Sequence, residues 1–145
     1  MDKDFIEAKI ENIGLYLKGI MPLLERETAI IVHDDLVRSA IERKAQLIVD
    51  AAIDINTYII TTHKFRTPDD YFNTFIILGE EQILDEIFAR KIAASVRFRN
   101  QIVHNYEKMS KTEMVDKIKE NIEDYRTYVK EILAYIERNK QAPSP

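Results

Sequence analysis

Breakers are scarce in this 145-residue chain, and that scarcity constrains the fold more than any other feature. It has three glycines and four prolines, and two of the prolines, Pro143 and Pro145, sit in the closing QAPSP. Uninterrupted text rich in Ile, Ala, Glu, Lys and Leu predicts long helices. The length suits one domain able to bury its own core. We expect a single helical domain over 1–140 and a frayed tail over 141–145.

Apolar periodicity places the helices. Phe5, Ile6, Ile10, Ile13, Leu17, Ile20 and Leu24 recur at three- and four-residue steps and predict a helix over about Asp4 to Glu25, kinked or shortened by Pro22. A longer helix is expected from Asp34 to Thr62, with Leu36, Ala40, Leu47, Ile48, Ala51, Ile55, Tyr58 and Ile59 as its stripe. FRTPDDYF reads as a helix start, with Thr67 as cap and Pro68 at the first helical position, and the helix stops at Gly79. A segment from Glu80 to about Lys91 bends into the helix that carries RFRNQIVH. SKTE, with Ser110 and Glu113, is a capping box that opens a last helix to about Asn139. Short connections between long helices predict an all-α antiparallel bundle of about five helices.

Composition excludes several classes. Without cysteine there are no disulfides and no thiolate metal sites. The charged N-terminus MDKDFIEAKIE is no signal peptide, and no apolar run reaches the ~20 residues of a membrane span. We expect a cytoplasmic protein that does not engage membranes. The net charge of −4 hides an asymmetry. Residues 90–111 carry six basic side chains and one acidic, a local +5, against −9 for the remainder.

RFRNQIVHNY, Arg97 to Tyr106, lies in that basic segment. At roughly 100° per residue, Asn100 and His104 share a helix face. Arg97 and His104 share a face two turns apart, while Arg99 and His104 stand about 140° apart. One copy therefore makes a half-site, which two crossing copies in a dimer would complete around one substrate. Histidine is a general acid or base near neutral pH. Arginine holds phosphate and stabilises charge developing on it. No carboxylate–histidine cluster suggests a metal, and no activated serine or cysteine is present. These groups suffice for metal-free RNA cleavage by 2′-hydroxyl attack. The alternative is a solvated helix face whose histidine satisfies a neighbour.

Arg99-Asn100-x-x-x-His104 resembles the Arg-polar-x-x-x-His motif of the HEPN superfamily. Adding Tyr106 gives the Arg-x4-His-x-Tyr pattern of HepT toxins, and the AAIDI helix, the TPDDYFNTF start and the SKTEMV helix are similar to that family as well. The resemblance implies a HEPN-like homodimer that is a cofactor-free, metal-independent endoribonuclease toxin. It implies a partner, an MntA-like nucleotidyltransferase antitoxin that neutralises the toxin by AMP transfer to tyrosine. Arg99 and His104 are then catalytic, Asn100 orients His104 or the phosphate, and Tyr106 accepts AMP. Arg97 either contacts substrate phosphate or pairs with an acid. Asp54 either supports the site by pairing with an arginine or forms a local hydrogen bond. Two alternatives to the toxin are a non-catalytic HEPN module that binds nucleotide or RNA, and an interaction partner of a nucleotidyltransferase.

Overall fold

The computed structural model describes residues 1–105 and 109–141. Among these the chain forms eight helices: α1 (Lys3–Leu24), α2 (Thr28–Val32), α3 (Asp35–His63), α4 (Tyr71–Glu80), α5 (Glu86–Ala93), α6 (Ser95–His104), α7 (Lys111–Asn121) and α8 (Asp124–Gln141). No strand occurs among the described residues. The all-α expectation holds. The count exceeds five because the short α2 separates the two long helices, because α5 and α6 are separate helices, and because the expected last helix is two.

α1 and α3 are the long elements, and they pack antiparallel. Asp2 N–H donates to the Tyr58 hydroxyl at one end of the pair, and Gly19 lies against the Lys44 side chain at the other. Pro22 stays inside α1, near its end. Leu36, expected on the apolar stripe of α3, is 83% exposed, so the buried face begins only at Ile41. The last helix breaks at Ile122–Glu123, where Tyr125 N–H donates to Ile122 O and Arg126 N–H to Glu123 O. These three-residue bonds tighten the turn without glycine or proline, which is why apolar periodicity ran through it. α8 then runs parallel to α3, as Tyr128 meets Ala52 and Asn56 while Tyr135 meets His63. The bundle is therefore antiparallel only in part.

α4 starts later than TPDDYF suggested. Residues 65–70 are not helical, and Asp70 rather than Thr67 is the cap, its carboxylate accepting from Asn73 N–H at 2.8 Å. Gly79 does not end the helix. It is buried within it, where an added Cβ would stand 2.7 Å from the Ala89 Cβ, so glycine is what lets α4 and α5 approach. The turn out of α4 is made instead by Gln82 at φ 59°. Ser110 caps α7 as expected, its Oγ accepting from Glu113 N–H at 3.0 Å.

The core is one apolar cluster centred on α3, with Tyr125, Tyr128, Phe75 and Phe98 as its largest fully buried side chains. A short polar chain crosses it. Tyr128 donates to Asn56 Oδ1 (2.6 Å), Asn56 Nδ2 donates to Thr74 Oγ1 (3.2 Å), and Thr74 donates to the Tyr71 carbonyl (2.7 Å). It ties α8, α3 and the first turn of α4 together, and every buried polar group in it has a partner.

Candidate functional site

α6 is set by its buried side. Ser95 donates to Ile92 O and bonds the Tyr125 hydroxyl, both at 2.7 Å, fixing its first turn to α8. Phe98 and Gln101 then point into the core. That orientation turns Arg99 toward α3 and leaves Arg97, Val103 and His104 exposed, with Asn100 between.

Arg99 is held on three sides. Its Nε donates to Asp50 Oδ1 at 2.7 Å, its Nη1 donates to Asn100 Oδ1 at 3.1 Å, and its guanidinium carbon lies 5.0 Å from the centre of the Tyr71 ring. Only 13% of the side chain is exposed. A guanidinium carries five N–H donors in a rigid fork. Arg99 also lines a cavity of about 260 Å³ together with Asp50, Ile53, Asp54 and Tyr71.

His104 is the last residue of α6, and Asn105 caps the helix in the left-handed region at φ 55°, its N–H bonded to Gln101 O at 2.9 Å. Asn100 shares the exposed face of α6 with His104 and also touches Arg99, so it stands between the two. Its amide oxygen is engaged by Arg99, a contact the motif alone did not indicate.

The remaining sequence candidates separate. Arg97 lines a different depression, between α6 and α7, with Glu113 and Lys117. It does not share the Arg99 cavity. Asp54 pairs with Lys9 at 2.9 Å rather than with an arginine, yet its side chain lines the Arg99 cavity. Tyr106 lies outside the described residues. Sequence reasoning missed Asp50 and Tyr71. Asp50 and Asp54 are one turn apart on α3, and only the placement of α6 decides which meets Arg99. Tyr71 carried no signal beyond its place at a helix start. Among the described residues, no group of three or more His, Cys, Asp or Glu side chains converges as a metal site would require. Nor is any helix among them long and apolar enough to cross a membrane.

Comparison with known proteins gives a consistent picture. Residues 7–132 match the family described as "Ribonuclease HepT-like". The tRNA nuclease HepT of Aphanizomenon flos-aquae is 35% identical over 136 residues, covering 90% of this chain and 89% of the relative. The mRNA nuclease HepT of Shewanella oneidensis is 21% identical over 131 residues, covering 90% and 98%. Among solved structures, the tri-AMPylated HEPN toxin of Shewanella oneidensis in complex with MNT antitoxin superposes with a TM-score of 0.81 at 22% identity, covering 92% of this chain and 99% of that one.

Proposed function

Because the chain belongs to the ribonuclease HepT-like family, we propose that it is the toxin of a toxin–antitoxin pair, an endoribonuclease that acts as a homodimer. The observation that carries this reading is the held Arg99. An arginine fixed by a carboxylate and an aromatic ring at the wall of a cavity is preorganised for a phosphate. His104 stands on the same short helix at an exposed end.

In this reading the RNA supplies the nucleophile. The 2′-hydroxyl attacks the adjacent phosphorus, the bond from phosphorus to the 5′-oxygen breaks, and a 2′,3′-cyclic phosphate forms. The 2′-hydroxyl proton leaves to a base, and the departing 5′-oxygen takes a proton from an acid. His104 serves as this general acid/base. Arg99 neutralises the charge that accumulates on the non-bridging oxygens. Asn100, bonded to Arg99 and sharing the face of His104, keeps the two in register. The chemistry asks for no metal and no cofactor. An exposed His104 needs a covering surface to exclude water, and Val103 beside it, 38% exposed, suits a second copy crossing α6.

Control falls to Tyr106. A nucleotidyltransferase antitoxin of MntA type would transfer AMP from ATP to its phenolic oxygen, with pyrophosphate leaving. The added anion, two residues beyond His104 in sequence, would compete for the cation that RNA phosphate needs. The description of the Shewanella toxin as tri-AMPylated and bound to its antitoxin supports the same chemistry here.

The test is incubation of the purified protein with cellular RNA in EDTA. Cleavage leaving cyclic phosphate ends, abolished in His104→Ala, is the expected outcome. Firm RNA binding without cleavage would replace this reading with a non-catalytic binding module.

A further inference from the structure

The cavity at Arg99 is not closed. It adjoins a second of about 460 Å³, and the two share Ile53, Asp54 and Tyr71. The second is walled by Phe5, Tyr58 and Tyr71, with Thr57 and Thr61 on the α3 side. The Phe5 and Tyr58 rings pack 4.8 Å apart, Phe5 is 36% exposed and Tyr71 46%. Together they form one groove that leads away from the phosphate-holding arginine along an aromatic wall.

Tyr71 is unusually well fixed for an exposed aromatic. Asp70 caps its helix, and the buried chain from Tyr128 through Asn56 and Thr74 ends on its carbonyl. The guanidinium of Arg99 covers one part of the ring, and the ring also faces the second cavity. A phenol ring beside a phosphate-binding cation is the arrangement that stacks a base while its phosphate is held. Asp54 sits where the two cavities meet, its side chain 52% exposed. Its ion pair with Lys9 is of the exposed kind worth ~0–1 kcal/mol, so a ligand can exchange with it. An ionised carboxylate only accepts hydrogen bonds. It favours a base edge with an amino group. It disfavours uracil, whose single ring N–H lies between two carbonyl oxygens.

We propose that this groove is a base-binding subsite for single-stranded RNA, in which Tyr71 stacks the nucleobase next to the phosphate held by Arg99 and Asp54 selects an amino-bearing base over uracil. The proposal rests on the ribonuclease reading above and names the specificity-determining residues of that same site.

Binding of 2′-O-methylated oligoadenylate, oligocytidylate and oligouridylate to the full-length protein, read by fluorescence anisotropy beside sedimentation, tests it. The wild type should bind oligoadenylate and oligocytidylate about tenfold more tightly than oligouridylate. Tyr71→Ala should weaken all three by about tenfold or more, and Tyr71→Phe should recover most of that loss. Asp54→Asn should erase the discrimination against uracil. Unchanged affinity in Tyr71→Ala overturns the proposal. So does a shift of Tyr71→Ala to a smaller species, which would put the ring under a second copy of the chain. A wild type that cleaves cellular RNA yet shows no base preference overturns the subsite alone. A wild type that neither cleaves nor binds RNA overturns both readings.

Discussion

Arg99 Nε and Asp50 Oδ1, 2.7 Å apart, join the motif-bearing helix to the middle of α3. The pair is partly sheltered, with 13% of the arginine side chain and 30% of the aspartate exposed. In such a setting a charge-assisted hydrogen bond sets the direction of the guanidinium as well as holding it. Under the proposed function Asp50 is therefore a positioning residue, one step behind the group that would meet phosphate.

Asp50→Asn should lower kcat of RNA cleavage by about 10- to 100-fold, the loss of one charge-assisted bond, with a smaller change in KM. Asp50→Glu should restore part of it. Equal loss of kcat in the Asn and Glu variants, with normal folding by circular dichroism, would show that the carboxylate does not aim Arg99.

Arg99→Lys keeps the charge but gives up the planar fork that contacts Asp50 and Asn100 together. Cleavage should drop nearly as far as in Arg99→Ala, by about 10²–10³-fold. His104→Ala, which removes the proposed acid/base, should cost about 10²–10⁴-fold. His104 is exposed at a helix end, so its variant should keep the helical fold, checked by circular dichroism. Full activity in Arg99→Lys would mean that the arginine acts only as a diffuse charge.

Tyr106→Phe should keep ribonuclease activity while resisting an AMP-transferring antitoxin. Mass spectrometry after incubation with the nucleotidyltransferase and ATP should find AMP on the wild type and none on the variant. A Phe variant that is still modified and neutralised would move the acceptor elsewhere.

Legibility in the sequence followed the range of the interaction. α1, α3 and the Ser110 cap depend on local periodicity and local hydrogen bonds, and these were readable. The pairing of Asn100 with His104 on one face was readable for the same reason. Asp50 and Tyr71 were not. They reach Arg99 across 49 and 28 residues of sequence, and the choice between Asp50 and Asp54 belongs to the packing of α6 on α3. The break at Ile122 was invisible because Ile118, Ile122 and Tyr125 all stay buried through it, so the apolar pattern never lapses. Gly79 misled because a glycine near the end of an apolar run is usually a stop signal, and here it is a contact surface.

That contact is testable by itself. In Gly79→Ala the new methyl would fall 2.7 Å from Ala89 Cβ and 3.4 Å from Glu86 Cα. Alanine gains about 1 kcal/mol of helix propensity over glycine, but overpacking typically costs about 1–3 kcal/mol. The net effect should be a lower melting temperature. Pairing it with Ala89→Gly should recover part of the loss, because that removes the atom struck; additive losses in the double variant would point away from the α4–α5 contact.

Tyr125 and Tyr128 make the fold sensitive to alkali. Both are fully buried, and burial holds each phenol well above its ordinary value. In the unfolded chain they ionise near pH ~10. A folded-state pKa above the unfolded one means that the stabilisation is complete below pH ~10 and is lost as pH rises from there toward the folded values. Each buried tyrosine should therefore steepen the loss of unfolding free energy, approaching ~1.4 kcal/mol per pH unit. Tyr125→Phe should cost about 1 kcal/mol at neutral pH, through its bond to Ser95, and should flatten the alkaline limb by one tyrosine's share. Guanidinium unfolding measured across pH 8–11.5, wild type against variant, isolates that share from the lysines that titrate in both. Parallel limbs would mean that Tyr125 ionises in the native protein through local opening of α8 from α6, and would mark the Ser95 anchor of the motif-bearing helix as its weak end.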